Sequence, residues 1–246
     1  YDSSLLFTDL SLPEPQVINL DESDDILFTS SGQYDTPKKI IDQKGVQAFL
    51  SHTQNFMGRE GVLLINLKSS VPSSSAENLT YAFISNAVFR KKHRLIFQRA
   101  FQRNGVSIFA NYDSNGNATF GLFGRTSTQI KHASDLLTKY ANFKYTERDL
   151  KDGIKALRDS FDSISEQGIS AQLSYYAATA TKQGPFFFSK NEILAALDQA
   201  TLEGLTNFHN EYIASIFIDI FSHGIESPEK IISFANKMRD AYGDTT

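Results

Sequence analysis

The sequence offers five histidines, at 52, 93, 132, 209 and 223, and no cysteine, so any metal or acid–base chemistry would rest on imidazole and carboxylate. Two histidines one helical turn apart, with a glutamate beside the second, bind Zn2+ through ring nitrogens and polarise the water that attacks a peptide bond. Along a chain that arrangement reads H-x-x-E-H. The residues four positions after the five histidines are Phe56, Phe97, Leu136, Ile213 and Ser227, so no ligand pair results. His223-Gly224-Ile225-Glu226-Ser227 comes within one residue of the pattern. Gly224 interrupts it and Ser227 stands where the second ligand must be, so the string reads as a corner between elements.

Other combinations carry less. His132-x-x-Asp135 shares a helical face and reads as solvated polar surface. His209 and Glu211 are two apart, which points them to different sides of a helix. No G-x-S-x-G elbow activates a serine. Arg90, Lys91, Lys92, His93 and Arg94, with Arg99 and Arg103 beyond, form one basic run interleaved with Phe89, Phe97 and Phe101. Such a run suits nucleic acid in a basic protein, but this chain has a net charge of −4. A solvated helix face, or a contact with an acidic neighbouring domain, is the expected role. Pro185-Phe186-Phe187-Phe188 reads as a helix-to-helix corner with core anchors. No catalytic and no metal-ligating residue is assigned, and binding residues stay open.

The elements that must position these groups come next. A chain of 246 residues, 41% hydrophobic and 12% aromatic, can bury a substantial core. Its N-terminus lacks the basic and apolar regions of a secretory signal, and no segment approaches the ~20 apolar residues of a membrane-spanning helix. Compartment stays open. Tyr1 in place of Met suggests a piece cut from a longer chain.

Pro13, Pro15 and the acidic cluster Asp21, Glu22, Asp24 and Asp25 suit a linker, and Ile26-Leu27-Phe28 a first short strand. Over residues 38 to 58, Ile40, Ile41, Val46, Phe49 and Leu50 are spaced helically while Gly45 and Gly58 interrupt the pattern, which predicts a short helix within an insertion. Val62 to Leu67 reads as a strand. Ser74-x-x-Glu77 predicts a helix from near Ala76 to Arg103, ended by Asn104-Gly105. Val106–Tyr112 and Ala118–Gly124 flank the turn Asp113-Ser-Asn-Gly-Asn117, a β-hairpin signal. Helices follow over 127–140 and from a Thr146-x-x-Asp149 cap, whose stripe is Leu150, Ile154, Leu157, Phe161 and Ile164. Gly168 interrupts that helix before a second carrying Ile169, Leu173, Tyr176 and Ala180. Helices over 190–197 and 202–213, a buried strand Ile216–Phe221 and a helix 228–242 opened by Ser227-Pro228 complete the order. The fold class is α+β, with an antiparallel or mixed sheet and helices packed on one face. Three divisions result: 1–30, linker and first strand; 31–60, the end of that strand plus an insertion; 61–246, the α+β core domain.

Several strings, each weak alone, are colinear with one family. They are Pro13-x-Pro15-x-x-Ile18, Tyr34-x-x-Pro37-Lys38, Leu64-x-x-Leu67-Lys68-Ser69 and Asn78-x-Thr80-Tyr81-x-Phe83-Ile84. Phe143-x-x-x-Glu147-Arg148, Tyr175-Tyr176, Ser189-Lys190-x-Glu192-x-x-x-Ala196-Leu197, Thr201-Leu202 and His223-Gly224 follow. In order and spacing the chain resembles the pitrilysin/insulysin (insulinase-like) family of inverted-zincin metallopeptidases over residues 13 to 40 and 61 to 240. It departs at the insertion near 39 to 60, at Ile225 where Asn is usual, and at Arg90 to Arg94 where the family is often acidic.

The resemblance implies a clamshell of two halves with two similar domains each, H-x-x-E-H lying in the N-terminal half. This chain corresponds to the non-catalytic first domain of the C-terminal half, supplying chamber wall and interdomain surface. Zinc is expected in the N-terminal half of the parent protein and none in this chain, which is expected to be inactive alone. The implied partners are other domains of the same polypeptide and the parent's peptide substrate, without nucleic acid or membrane. The alternative is a free-standing interaction or scaffold protein with the same fold and no peptidase activity. A third reading is a shared fold with no shared function.

Overall fold

The computed structural model describes residues 36–51, 60–113, 115–166, 188–224 and 227–242. The linker and first strand of 1–30, His52, the helix after Gly168, Phe186-Phe187 and Glu226 lie outside the described residues.

Lys38–Gln43 (β1) and Val46–Ser51 (β2) form an antiparallel hairpin where the sequence predicts a short helix. Two features override the helical spacing. Gly45 takes a φ of 78°, which makes the turn at no steric cost. β2 also pairs in parallel with the distant strand Phe217–His223 (β6), burying Val46, Ala48 and Leu50 at period two. Glu60–Lys68 (β3), Val106–Tyr112 (β4) and Ala118–Arg125 (β5) complete a six-stranded sheet in the order β1-β2-β6-β3-β5-β4. Only β2 and β6 run parallel, so the sheet is mixed, as an α+β reading requires.

Helix α1 (Ala76–Asn104) runs unbroken for 29 residues. Its N-cap is Ser75, one residue beyond the predicted Ser74, because Ser74 closes the short 3-10 turn Pro72–Ser74. Gly105, at φ 63°, ends it. Among the described residues five helices follow: α2 (Thr126–Ala141), α3 (Glu147–Glu166), α4 (Lys190–Asp198), α5 (Leu202–Ala214) and α6 (Pro228–Tyr242). Asp149 accepts from the Thr146 amide at 2.8 Å and the Thr146 hydroxyl at 2.7 Å, so the predicted cap opens α3. Ser227 accepts from the Lys230 amide at 3.3 Å and opens α6.

The core lies between this helical layer and one sheet face, built from Leu63, Ile65 and Leu67 of β3, Ile218 and Ile220 of β6, and Phe120 and Leu122 of β5. Gln129 of α2 donates to the carbonyls of Gly61 and Gly124, both at 2.8 Å, tying helix to strand ends. Gly153 of α3 lets the helix approach α1 closely, since a Cβ there would stand 2.7 Å from Ile84 and 3.0 Å from Val88.

Candidate functional site

The structure scatters the histidines. His93 lies on the ring of Phe89 at 4.2 Å, with Nδ1 3.0 Å from the Phe89 carbonyl. His132 Nε2 meets the Asn104 amide at 2.7 Å, and Asp135 beside it acts only through its charge. His209 is buried, its Nδ1 3.3 Å from the Tyr145 hydroxyl and its Nε2 without a hydrogen-bond partner. Burial holds all three imidazoles below the ordinary histidine value; the nearby carbonyls of Phe89 and of Ala141 and Tyr140 partly offset this at His93 and His209, as Asp135 does at His132.

His223 stands at the end of β6, with Nδ1 3.1 Å from the Ser51 hydroxyl, while Ser227 is committed to capping α6. A second ligand one turn after His223 is missing, since Ser227, whose hydroxyl caps α6, stands at that position, and His223 ends a strand and not a helix. Among the described residues, no group of three His, Cys, Asp or Glu could hold a metal ion.

A tyrosine cluster surrounds His209. The hydroxyls of Tyr112 and Tyr140 meet, Tyr145 meets Ser85 at 2.5 Å, and Tyr242 donates to the Leu137 carbonyl at 3.0 Å. Tyr212 donates to the Leu67 carbonyl at 2.6 Å and accepts from the Ala118 amide at 3.0 Å. Burial pushes Tyr112 up to about 12 despite bonds to Tyr140 and Ser85, and raises Tyr140, Tyr145, Tyr212 and Tyr242 as well. These phenols stay neutral and hold elements together; they supply no base near neutral pH.

The basic run divides. Lys91 pairs with Asp152 at 2.8 Å and Lys92 with Asp149 at 2.7 Å, so both lysines bind α1 to α3. Burial would raise the Asp149 carboxyl, but its bonds to Lys92 and Thr146 hold it below the usual carboxylate range. Arg90, Arg94, Arg99 and Arg103 are exposed.

The remaining feature is the sheet face away from the helices. Across it the register aligns Lys39, Phe49, Phe221, Leu64, Gly121 and Phe109 in one row. The next row is polar: Asp42, Gln47, Asp219, Asn66, Thr119 and Asn111. Gly121 leaves room for the ring of Phe109 to lie over the backbone, where Phe123 stacks with it at 5.3 Å. Phe221 stacks on His223 and Lys39 caps Phe49 at 5.5 Å. In the polar row Lys68 pairs with Asp219, and Thr119 donates to Asn66 at 2.8 Å.

None of Phe49, Leu64, Phe109, Phe123 and Phe221 belongs to the core, and Phe123 is 39% exposed. The sequence reading missed this face because Val62 to Leu67 read only as a strand and Ile216 to Phe221 only as a buried one, with no side assigned to either. The available signal was arithmetical: strands apolar on two faces, with helices enough for one. Such a surface can pack against another domain or take up apolar side chains of an extended peptide.

No protein-family model matches the sequence, and no curated protein matches it. Among solved structures, the chain is similar to the crystal structure of pitrilysin, with a TM-score of 0.79 and 17% identity over 87% of this chain. It is also similar to a conserved protein from Enterococcus faecalis V583, with a TM-score of 0.58 and 14% identity over 82% of this chain. The chain spans 22% of the pitrilysin chain and 51% of the other. At these identities the likeness shows the fold, an α+β domain of the pitrilysin type.

Proposed function

We propose that this chain is a non-catalytic domain of a larger zinc metalloendopeptidase, where it forms part of the substrate chamber and interdomain surface. The observation that carries this reading is the half-buried aromatic sheet face that lies outside the core of the described residues, on a fold shared with about a fifth of the pitrilysin chain. A free domain gains little from leaving Phe49, Leu64, Phe221, Phe109 and Phe123 outside its core; as a wall of a closed chamber, the same side chains are shielded by their neighbours. Zinc would be held in the N-terminal half of the parent, where it would activate the attacking water. This chain's residues would bind and orient peptide: aromatic rings contacting apolar side chains, and the Asp219–Lys68 and Asn66–Thr119 pairs bonding polar ones.

The test has two parts. Metal analysis of the purified 246-residue chain and its assay on a fluorogenic peptide, with and without chelator, are expected to give no stoichiometric zinc and no cleavage. In the full-length polypeptide, chelator-sensitive cleavage is expected, with Leu64→Asp or Phe221→Asp raising KM several-fold. Zinc with cleavage in the isolated chain overturns the reading. A full-length polypeptide without peptidase activity overturns it in favour of a scaffold protein of the same fold.

A further inference from the structure

Among the described residues the two edges of the sheet are built differently. β1 forms one edge, with Lys38 and Lys39 exposed and a register that shifts between Lys39 and Ile41. Charge and irregularity of this kind discourage an added strand. β4 forms the other edge. Val106–Tyr112 contains no charged residue and no proline, and every residue of it pairs with β5 in unbroken register. Only half of its backbone groups are used by β5. Asp113 donates to the Asn117 carbonyl at 3.0 Å, whereas in the next pair, Tyr112 with Ala118, the Ala118 amide turns the other way, onto the Tyr212 hydroxyl. Antiparallel pairing alternates. The amides and carbonyls of Ile108, Ala110 and Tyr112 therefore point away from β5, and no hydrogen bond among the described residues takes them up.

Helix α1 packs on β4 and overhangs this edge. Phe89 and Ser85 turn toward the middle of the sheet, to Phe120 of β5 and to Tyr145, while Lys91 and Lys92 reach α3. At 3.6 residues per turn, Arg90, Arg94, Phe97 and Phe101 fall within about 60° of one another on the remaining side, above the outer edge of β4. Phe97 is half-buried against the core, but Phe101 is 62% exposed, and Arg90 and Arg94 are exposed with no ion pair among the described residues. Joined through Gly105 alone, α1 and β4 run in opposite directions. Counted from Gly105, Arg94 and Ala110 both lie about 16 Å along, and Arg90 and Tyr112 both about 23 Å. Phe101 stands above the start of the strand, near the level of Ile108.

We infer that the outer edge of β4 takes up an extended strand of another polypeptide, antiparallel to β4 and of the pattern acid-x-acid-x-apolar. Its backbone completes the unpaired groups of Tyr112, Ala110 and Ile108 in turn. Alternate side chains, about 7 Å apart, then face α1. The two carboxylates meet the guanidinium groups of Arg90 and Arg94, and the apolar side chain meets the ring of Phe101. The residues between them lie on the other side, beside the exposed Ser107 and Asn111. A second copy matches this edge less well, because pairing β4 with itself sets two arginine stripes side by side. The inference is independent of the peptidase reading, since it concerns the edge of the sheet and not its aromatic face.

The probe is a fluorescein-labelled peptide, Thr-Glu-Thr-Glu-Thr-Leu-Thr, titrated with the 246-residue chain. Fluorescence anisotropy is expected to show saturable binding, and amide hydrogen exchange to slow at Ile108, Ala110 and Tyr112. Arg90→Glu with Arg94→Glu should weaken binding several-fold and strengthen it for a peptide with Lys in place of both Glu. Both arginines are exposed, so an unchanged thermal midpoint checks that the fold is intact. N-methylating the Glu and Leu amides of the peptide, which removes the donors that face β4, should abolish binding. Absence of saturable binding overturns the proposal, as does equal binding of the Glu and Lys peptides to the unaltered chain. Binding that survives N-methylation overturns it in favour of contact with the α1 face alone. A concentration-dependent dimer whose β4 amides are protected without peptide overturns it in favour of a second copy.

Discussion

Protonating His209 places a cation among the rings of Tyr140, Tyr145 and the rest of the tyrosine cluster, where burial opposes charge. Its folded-state value lies below the ordinary 6.5, so as pH falls the unfolded chain takes up the proton first and stability falls with it. His93 and His132 act in the same direction. The expected outcome is a urea midpoint that drops as pH is lowered from 7 to 5. Its slope should become shallower in His209→Phe, as measured by denaturant titration at each pH; an unchanged slope would show that His209 does not contribute. At this scale the sequence was partly legible. The lack of a histidine pair at H-x-x-E-H spacing was visible, whereas the burial of His209 depends on α2 and α5 meeting around it, which no local spacing encodes.

Elements were legible where their signals were local. The caps Thr146-x-x-Asp149 and Ser227-Pro228 and the Asp113–Asn117 turn act between near neighbours and predicted their elements closely. The β1–β2 hairpin was not, because its apolar residues satisfy helical spacing and its strand partner β6 lies far along the chain. Gly45 is the local clue, since only a turn needs its positive φ. Gly45→Ala is expected to destabilise the protein by about 1–2 kcal/mol, the cost of a left-handed conformation for a residue with a Cβ. Chemical denaturation measures it, and an unaltered midpoint would contradict the hairpin turn.

Across the whole molecule, the division of the sheet into a core face and a face outside the core of the described residues makes adjacent residues of β6 behave oppositely. Ile220 is fully buried beneath the helices, and Phe221 lies outside the core. Ile220→Asp is expected to prevent folding, since an unpaired buried carboxylate exceeds the few kcal/mol by which a domain is stable. Phe221→Asp should leave the thermal midpoint within a few degrees; equal effects would mean that the second face is also core. β6 has a further consequence. It lies between β2 and β3 near the sheet's centre, yet of the six strands it is the last to be made. During synthesis β3 has no partner on that side and the β1–β2 hairpin has no sheet to join until Phe217–His223 leaves the ribosome. Until then the nascent chain exposes two open strand edges, which makes it a substrate for chaperones that hold unpaired strands apart.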